Sequence, residues 1–508
     1  MIKRNALLAG WVLAAGLCLL PSSMAAQTIV RSFNGDQGKS LATCDLGKTR
    51  CGRQPEMNVA SNGKQLVQVT WQNVNVYDYN GKLLRSTPMS DFIAHAGLNP
   101  KTPDGKDPFE PLVVYDEFIG RWIITVTCHS DCFMVSASSD PMGSWGGVYP
   151  TCLDNGPCLN HDPALHIGYD KNGIYYCAGH IGDDNPHTVP TVAYDCLAIP
   201  PGEVKAIAGR KNPTHLNRIH NMPLGIQPAI DHNPSKAATA PEFFATRTCS
   251  RAEPGACQRS VNFPLEWLVD TFTWKGLTGT YNAGGEQVIK TDVGSKEDKW
   301  LYNVPCCGKL DSIPQRGSDV PLRSAGIHAV ENVAQLGSHL YAVTGSGPCT
   351  HDCGRQGVDK NNLMIYVDLD CSRSNACFVS QTAKISGDNI RPAFGTVGVD
   401  DAGNVGIVAI SSTETTDLSI LLWTHKKTDP PNTFEGPTTI IAGTEPYTCF
   451  PDRKIALLAS AVGILTARDP LDGSKLWTTH QWGGDATPCV WMTRIVEYQI
   501  GGKSKRTK

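Results

Sequence analysis

Short runs of apolar, β-branched and aromatic residues alternate along this chain with clusters of Gly, Asn and Asp. No stretch carries the sustained 3.6-residue period of a long amphipathic helix. One unit recurs: an apolar strand, a turn of the Asp/Asn-x-x-Gly kind, then a second apolar strand. It reads Val74-Asn75-Val76-Tyr77-Asp78-Tyr79-Asn80-Gly81-Lys82-Leu83-Leu84, returns from His166 to Tyr176 around Asp170-Lys171-Asn172-Gly173, and again from Val397 to Val408 around Asp400-Asp401-Ala402-Gly403. Looser copies lie at Val114 to Ile123, Asn332 to Tyr341 and Asp472 to Trp477. A second signal stands upstream of several copies, a polar residue followed by proline and an apolar strand. Gln54-Pro55, Glu110-Pro111, Asp162-Pro163, Gln227-Pro228 and Arg391-Pro392 fit it, and Arg323-Ser324-Ala325 fits without the proline. Proline suits the first residue of a strand, where no ladder donor is needed, and it holds its predecessor extended. Starts roughly 50 to 100 residues apart match four-stranded propeller blades with loop insertions. With a divergent segment near 450–498 the count reaches seven. The pattern therefore predicts an all-β fold, a seven-bladed, disulfide-rich β-propeller over residues 27–498. Two β-sandwiches with coincidental prolines are the alternative.

Composition narrows the class. Of 508 residues 41% are apolar and 18% charged, which supports a large core, and 49 glycines with 34 prolines favour turns over helices. A formal charge of −3 excludes a nucleic-acid binder that relies on bulk positive charge. At the N-terminus, Lys3 and Arg4 precede an apolar run from Ala6 to Leu20 and the small-residue stretch Ser23-Met24-Ala25-Ala26. This is the layout of a signal peptide, residues 1–26, and no later stretch reads as a membrane span. A secreted or periplasmic protein is expected, ending in a basic disordered tail at 499–508.

Nineteen cysteines agree with export into an oxidising compartment. Setting Cys18 aside, eighteen fall into neighbouring pairs: Cys44/Cys51, Cys128/Cys132, Cys152/Cys158, Cys177/Cys196, Cys249/Cys257, Cys306/Cys307, Cys349/Cys353, Cys371/Cys377 and Cys449/Cys489. Local disulfides stapling hairpins and loops are expected, since no Cys-x-x-Cys zinc knuckle is present. Cys306-Cys307 forms either a strained vicinal bridge or two bridges to separate partners, because adjacent Cα atoms lie about 3.8 Å apart.

Several segments resemble known families. Val135 to Trp145, with Asp140-Pro141-Met142-Gly143-Ser144-Trp145, resembles the blade-closing stretch of secreted bacterial β-propeller proteins, as do Arg391 to Ser412 and Ile313 to Gly317. That resemblance implies the fold and little about chemistry. His161 to His180 resembles the hairpin of propeller ulvan lyases, in which two histidines flank such a strand–turn–strand, and implies a polysaccharide lyase. The tyrosine and arginine those lyases also use are not placed by it. Ala467 to Trp477 is similar to one tryptophan motif of quinoprotein dehydrogenases, although those carry it in most blades. A sialidase arginine triad cannot be assembled.

Chemistry is expected where the inner strands begin. Equivalent residues there form a ring of Gln54, Glu110, Asp162, Gln227, Arg323 and Arg391, a mixed polar funnel suited to a sugar. The alternative is that each residue caps its own strand. With the hairpin turn centred between Lys171 and Asn172, His161 falls opposite Gly182 and His180 opposite Pro163, so both histidines stand at one end near Asp162. They would act as catalytic acid and base, hold a divalent metal, or have no role. The leading reading needs no cofactor. Substrate contacts are assigned to Glu110, Asp162, Gln227, Arg323 and Arg391, and the partner to an extracellular glycan or a cell-surface component. A non-catalytic scaffold and a metal-dependent oxidoreductase are the competing functions. Asp183-Asp184-Asn185 is a candidate calcium loop. Trp122, Trp145, Trp423 and Trp477 are read as blade core. No Gly-x-Ser-x-Gly elbow, Walker loop or His-Glu-x-x-His helix occurs.

Overall fold

The computed structural model describes residues 28–38, 55–101, 105, 107–150, 161–180, 193–223, 225–248, 266–283, 289–290, 311–324, 330–346, 363–373, 376–385, 390–447, 456–457, 464–485, 487 and 490–501. The fold is all-β. Among the described residues the only α-helices are the short Met89–His95 and Pro201–Ala208.

Four-stranded antiparallel meanders follow one another along the chain. They begin with Asn58–Ser61, Phe109–Asp116, His161–Asp170, Gln227–Asp231, Val330–Leu336 and Pro392–Val399. A last sheet has Ala467–Arg468, Lys475–Trp482 and Met492–Gln499 in succession, and its fourth, outermost strand is Thr28–Gln37 from the other end of the chain. The first strand of each meander packs beside the first strand of the next, and Ala467–Arg468 packs beside Asn58–Ser61, so the inner strands close into a ring. His161–Asp170, Gln227–Asp231 and Val330–Leu336 approach closely enough to pair in parallel. Gly168 permits this, since a Cβ there would stand 2.3 Å from the Ala229 carbonyl oxygen. Apolar clusters fill the spaces between successive sheets, with Trp122 and Trp477 fully buried and Trp145 and Trp423 nearly so.

The repeated turn has one mechanism. Where an inner strand ends, Asn62, Asp116, Asp170, Asp231, Asp400 or Asp469 accepts hydrogen bonds from backbone N–H groups two to four residues on. These Asx turns reverse the chain without a long loop. The Asp78 copy differs in place: it joins the third and fourth strands of its sheet, and the inner-strand turn there is Asn62-Gly63.

The proline signal also has a structural cause. Pairing with the second strand skips residues between Phe109 and Leu112, between Asp162 and Leu165, and between Ala393 and Thr396, so Pro111 and Pro163 fall in β-bulges. The backbone is strained in two of these bulges, with positive φ at Glu110 (56°) and Phe394 (53°), and also at Glu56 (43°), just ahead of Asn58–Ser61. Val330–Leu336 carries the same bulge without a proline.

Three expected disulfides are present, Cys128–Cys132, Cys177–Cys196 and Cys371–Cys377. The other expected pairs lie outside the described residues: Cys44 with Cys51, Cys152 with Cys158, Cys249 with Cys257, Cys306 with Cys307, Cys349 with Cys353, and Cys449 with Cys489. The signal peptide, Gln54 and Asp183 to Asn185 lie outside them too. Two boundaries differ from expectation. The tail cannot start at 499, because Gln499 still pairs with Lys475 and Ile500 is buried. Arg323 does not head an inner strand: it lies in Ser318–Ser324, which pairs with Asp311–Gln315 and Ala456–Leu457 in a separate small sheet. The inner strand that follows it starts at Val330, after a linker of five residues that lie outside the described ones.

Candidate functional site

The inner ring has two mouths, an upper one where inner strands begin and a lower one where they end. Its wall is tied shut by side chains. Asn332 donates to the Val397 carbonyl (2.8 Å) and accepts from the Val397 N–H (3.0 Å), substituting for a backbone ladder between neighbouring strands. Thr396 meets Thr466 at 2.8 Å, and Ser61 donates to Asp469 at 3.1 Å. Ligand chemistry therefore belongs to the mouths.

At the upper mouth the backbones of the two histidines are paired. The bulge between Asp162 and Leu165 shifts the pairing by two residues, which sets His161 directly opposite His180 and Asp162 opposite Gly179. Beyond the bulge the turn-centred register holds, with Leu165 opposite Ala178. Directly opposed residues on neighbouring antiparallel strands have Cβ atoms about 4.5–5.5 Å apart. The side chains of His161, Asp162, His180 and Arg323 lie outside the described residues.

The remaining ring members are placed individually. Glu110 is buried, and its N–H donates to Glu56 Oε2 at 2.6 Å across to the neighbouring inner strand. Glu331 occupies the corresponding bulge position in its own strand, is buried, and accepts from the Ile464 N–H. Gln227 is turned into the wall rather than the funnel. Its amide nitrogen lies 2.7 Å from the Val330 carbonyl and 2.6 Å from His166 Nδ1. Arg391 stands at a strand start, paired with the exposed Glu414 at 2.7 Å. The described part of the upper ring is thus richer in acid than expected, with Glu56 and Glu331 added. Only Glu56, next to Gln54-Pro55, had a signal to find it by.

The lower mouth was not anticipated. Tyr169, Glu117, His232, Arg468 and Asp401, each beside the turn of a different sheet, join in one network of hydrogen bonds and ion pairs, and Tyr169, His232 and Arg468 line a shallow cleft there with room for about one water molecule. His232 Nδ1 lies 2.7 Å from Glu117 Oε1, and the Tyr169 hydroxyl donates to Glu117 Oε2 at 2.9 Å. Arg468 Nε donates to Asp401 Oδ1 at 2.6 Å, with its NH1 3.8 Å from Glu117. Burial alone would raise the Glu117 carboxyl, but the His232 contact brings it below its usual range. Burial, and then the Glu117 charge, push the Tyr169 hydroxyl far up. Burial also lifts the neighbouring Asp116 to about 7. All these residues directly precede or follow a turn Asp in sequence, which is the signal that would have located them.

Among the described residues no group of three or more His, Cys, Asp or Glu is arranged to hold a metal ion, and no helix is long and apolar enough to cross a membrane.

No known protein family matches the chain, and no curated protein matches it in sequence. Among solved structures it is similar to hydrazine synthase of Kuenenia stuttgartiensis (11% identity over 87% of this chain and 96% of that one, TM-score 0.36). It is also similar to the GH93 α-L-arabinofuranosidase of Fusarium graminearum with arabinobiose (10%, 79% and 91%, TM-score 0.34). A third is an ulvan lyase of a new polysaccharide lyase family bound to a GlcA–Rha3S repeat (10%, 74% and 80%, TM-score 0.35). At these TM-scores the likenesses bear on neither the site nor its chemistry.

Proposed function

We propose that the chain is an exported, seven-bladed β-propeller that binds an extracellular polysaccharide at its upper mouth and cleaves it by β-elimination. The observation that carries this reading is the direct backbone pairing of His161 with His180 beside Asp162, at the start of an inner hairpin. One imidazole takes the C5 proton of a uronate and the other protonates the leaving oxygen, with Asp162 orienting the base. Arg391 neutralises the uronate carboxylate. Its present partner Glu414 is 64% exposed and can turn out into water, which leaves the guanidinium, itself 13% exposed, for a substrate carboxylate. Glu110 lines the same mouth. Gln227 and Arg323 are not needed in this mechanism, the first because its amide is spent on the wall and the second because its strand belongs to another sheet.

The test is digestion of a panel of uronate-containing polysaccharides, read as unsaturated product absorbing in the ultraviolet. Arg391→Ala should weaken binding of an anionic substrate by about 1.5–3 kcal/mol while leaving any neutral glycan unaffected. Absence of product across the panel overturns the catalytic part. A non-catalytic scaffold is the second reading, and the observation favouring it is the acid-rich upper ring of Glu56, Glu110 and Glu331, which repels polyuronates. Glycan binding without product supports it. Bound metal in stoichiometric amount would point instead to the oxidoreductase.

A further inference from the structure

We infer that Lys236 and Asp170 are joined by an isopeptide bond, a covalent brace between the third and fourth meanders that forms within the folded chain. The inference is independent of the reading of either mouth.

Lys236 lies on the connection between Gln227–Asp231 and Glu242–Thr248, and its side chain is buried. Its Nζ stands 2.8 Å from Asp170 Oδ2, 2.9 Å from Glu242 Oε2 and 3.2 Å from Asp231 Oδ2. All three carboxylates are buried as well. Asp170 ends the inner strand of the third meander, and Asp231 and Glu242 belong to the fourth. A cluster of one cation and three anions away from water is costly to keep. Amide formation removes the cation and one anion together and releases a water.

The two oxygens of Asp170 have different company. Oδ1 accepts from the Asn172 N–H (2.7 Å), the Gly173 N–H (2.9 Å) and the Tyr175 hydroxyl (3.2 Å), which itself accepts from Trp274 Nε1. Oδ2 faces only Lys236 among the described residues. Three donors on one oxygen polarise the carboxyl carbon and are placed to hold the negative charge of a tetrahedral intermediate. Oδ2 is then the leaving oxygen, and Nζ already stands beside the carbon to be attacked. Tyr175 and Trp274 pack with Phe244 and Phe272, an apolar wall that keeps bulk water from the bond.

Glu242 carries the protons. Against the pull of burial, Glu242, Asp170 and Asp231 hold Lys236 as an ammonium, while burial lifts the Glu242 carboxyl far above its usual range and readies it to accept a proton. Glu242 takes one ammonium proton, the free amine attacks Asp170 Cγ, and the C–N bond forms. Glu242 then passes protons from the nitrogen to Oδ2 until the C–Oδ2 bond breaks. Of the three ammonium protons, one stays on the amide nitrogen and two leave with Oδ2 as water. Glu242 ends as it began, and no other reagent is consumed.

The experiment is peptide mapping by tandem mass spectrometry of the full-length protein, reduced and unfolded before digestion with trypsin. The segments that hold Asp170 and Lys236 should appear joined, lighter than their sum by one water, with no cleavage after Lys236. Lys236→Arg keeps the charge but lacks the amine, and the segment that holds Asp170 should then run alone. Glu242→Gln keeps the shape but cannot shuttle protons, and the joined pair should fall to a minor fraction. Separate segments in the unaltered protein would overturn the inference, as would a link from Lys236 to Asp231 or Glu242. Loss of water confined to a single segment, or full joining in Glu242→Gln, would equally contradict it.

Discussion

His166 and His480 sit wholly inside the sheets, and burial drives each imidazole down to about 3. The unfolded chain takes up protons at these sites near pH 6.5, and the folded chain does not until far lower pH. Stability from the two histidines is thus complete above about pH 6.5 and declines as the pH falls toward 3. Neither ring nitrogen of His480 has a partner among the described residues. His480→Leu should therefore flatten the acid limb, recovering about 2 kcal/mol at pH 5 relative to its own effect at pH 7.5, measured by urea denaturation. Asp116 runs the other way. Burial raises it from 3.8 to about 7, so its contribution is present below pH 3.8 and is lost as the pH rises through 7. Asp116→Asn keeps an acceptor for the Phe118 and Ile119 N–H groups and should remove that loss between pH 5 and 8. Asn332→Ala is a third test. It strips both bonds to Val397 from the ring wall and should cost about 1–3 kcal/mol at any pH.

At the scale of elements, what was legible in the sequence was local. Asp170 and Asp400 announce their hairpins because an Asx turn is made by the residue that marks it. Cys128/Cys132, Cys177/Cys196 and Cys371/Cys377 were readable for the same reason, each bridge joining chain neighbours. What stayed hidden depended on distant partners. The bulge that moves His161 from Gly182 to His180 is a two-residue slip, which a strict alternation of faces does not encode. Arg323 looked like a strand head because Ser324-Ala325 mimics the motif, yet its partners are Ser312 and Leu457. Thr28–Gln37 gave no apolar signal, since its residues are half-exposed on the outermost edge. It is held instead by pairing with Met492–Gln499 and by Arg494 bonds to Ser32 and Asn34. Removing residues 28–37 should lower the thermal midpoint and broaden the transition, because the last sheet loses the strand that closes it. An unchanged midpoint would mean that the strand is dispensable.

For the whole molecule, the ring of inner strands explains why both mouths carry the polar side chains. Ties such as Asn332–Val397 and Thr396–Thr466 close the wall, so charged groups collect where the strands start and stop. The two mouths differ in composition, acids and paired histidines above, a Tyr–Glu–His–Arg–Asp network below. The proposal of catalysis rests on the upper one. The most direct test follows one uronate polysaccharide in one cuvette, reading affinity and ultraviolet product together for the unaltered protein, His161→Ala and His180→Ala. Each variant should bind within a few-fold of the unaltered protein while product formation falls about 10²- to 10⁴-fold. Product formation that survives both substitutions, or no product from the unaltered protein, would contradict catalysis by the histidine pair.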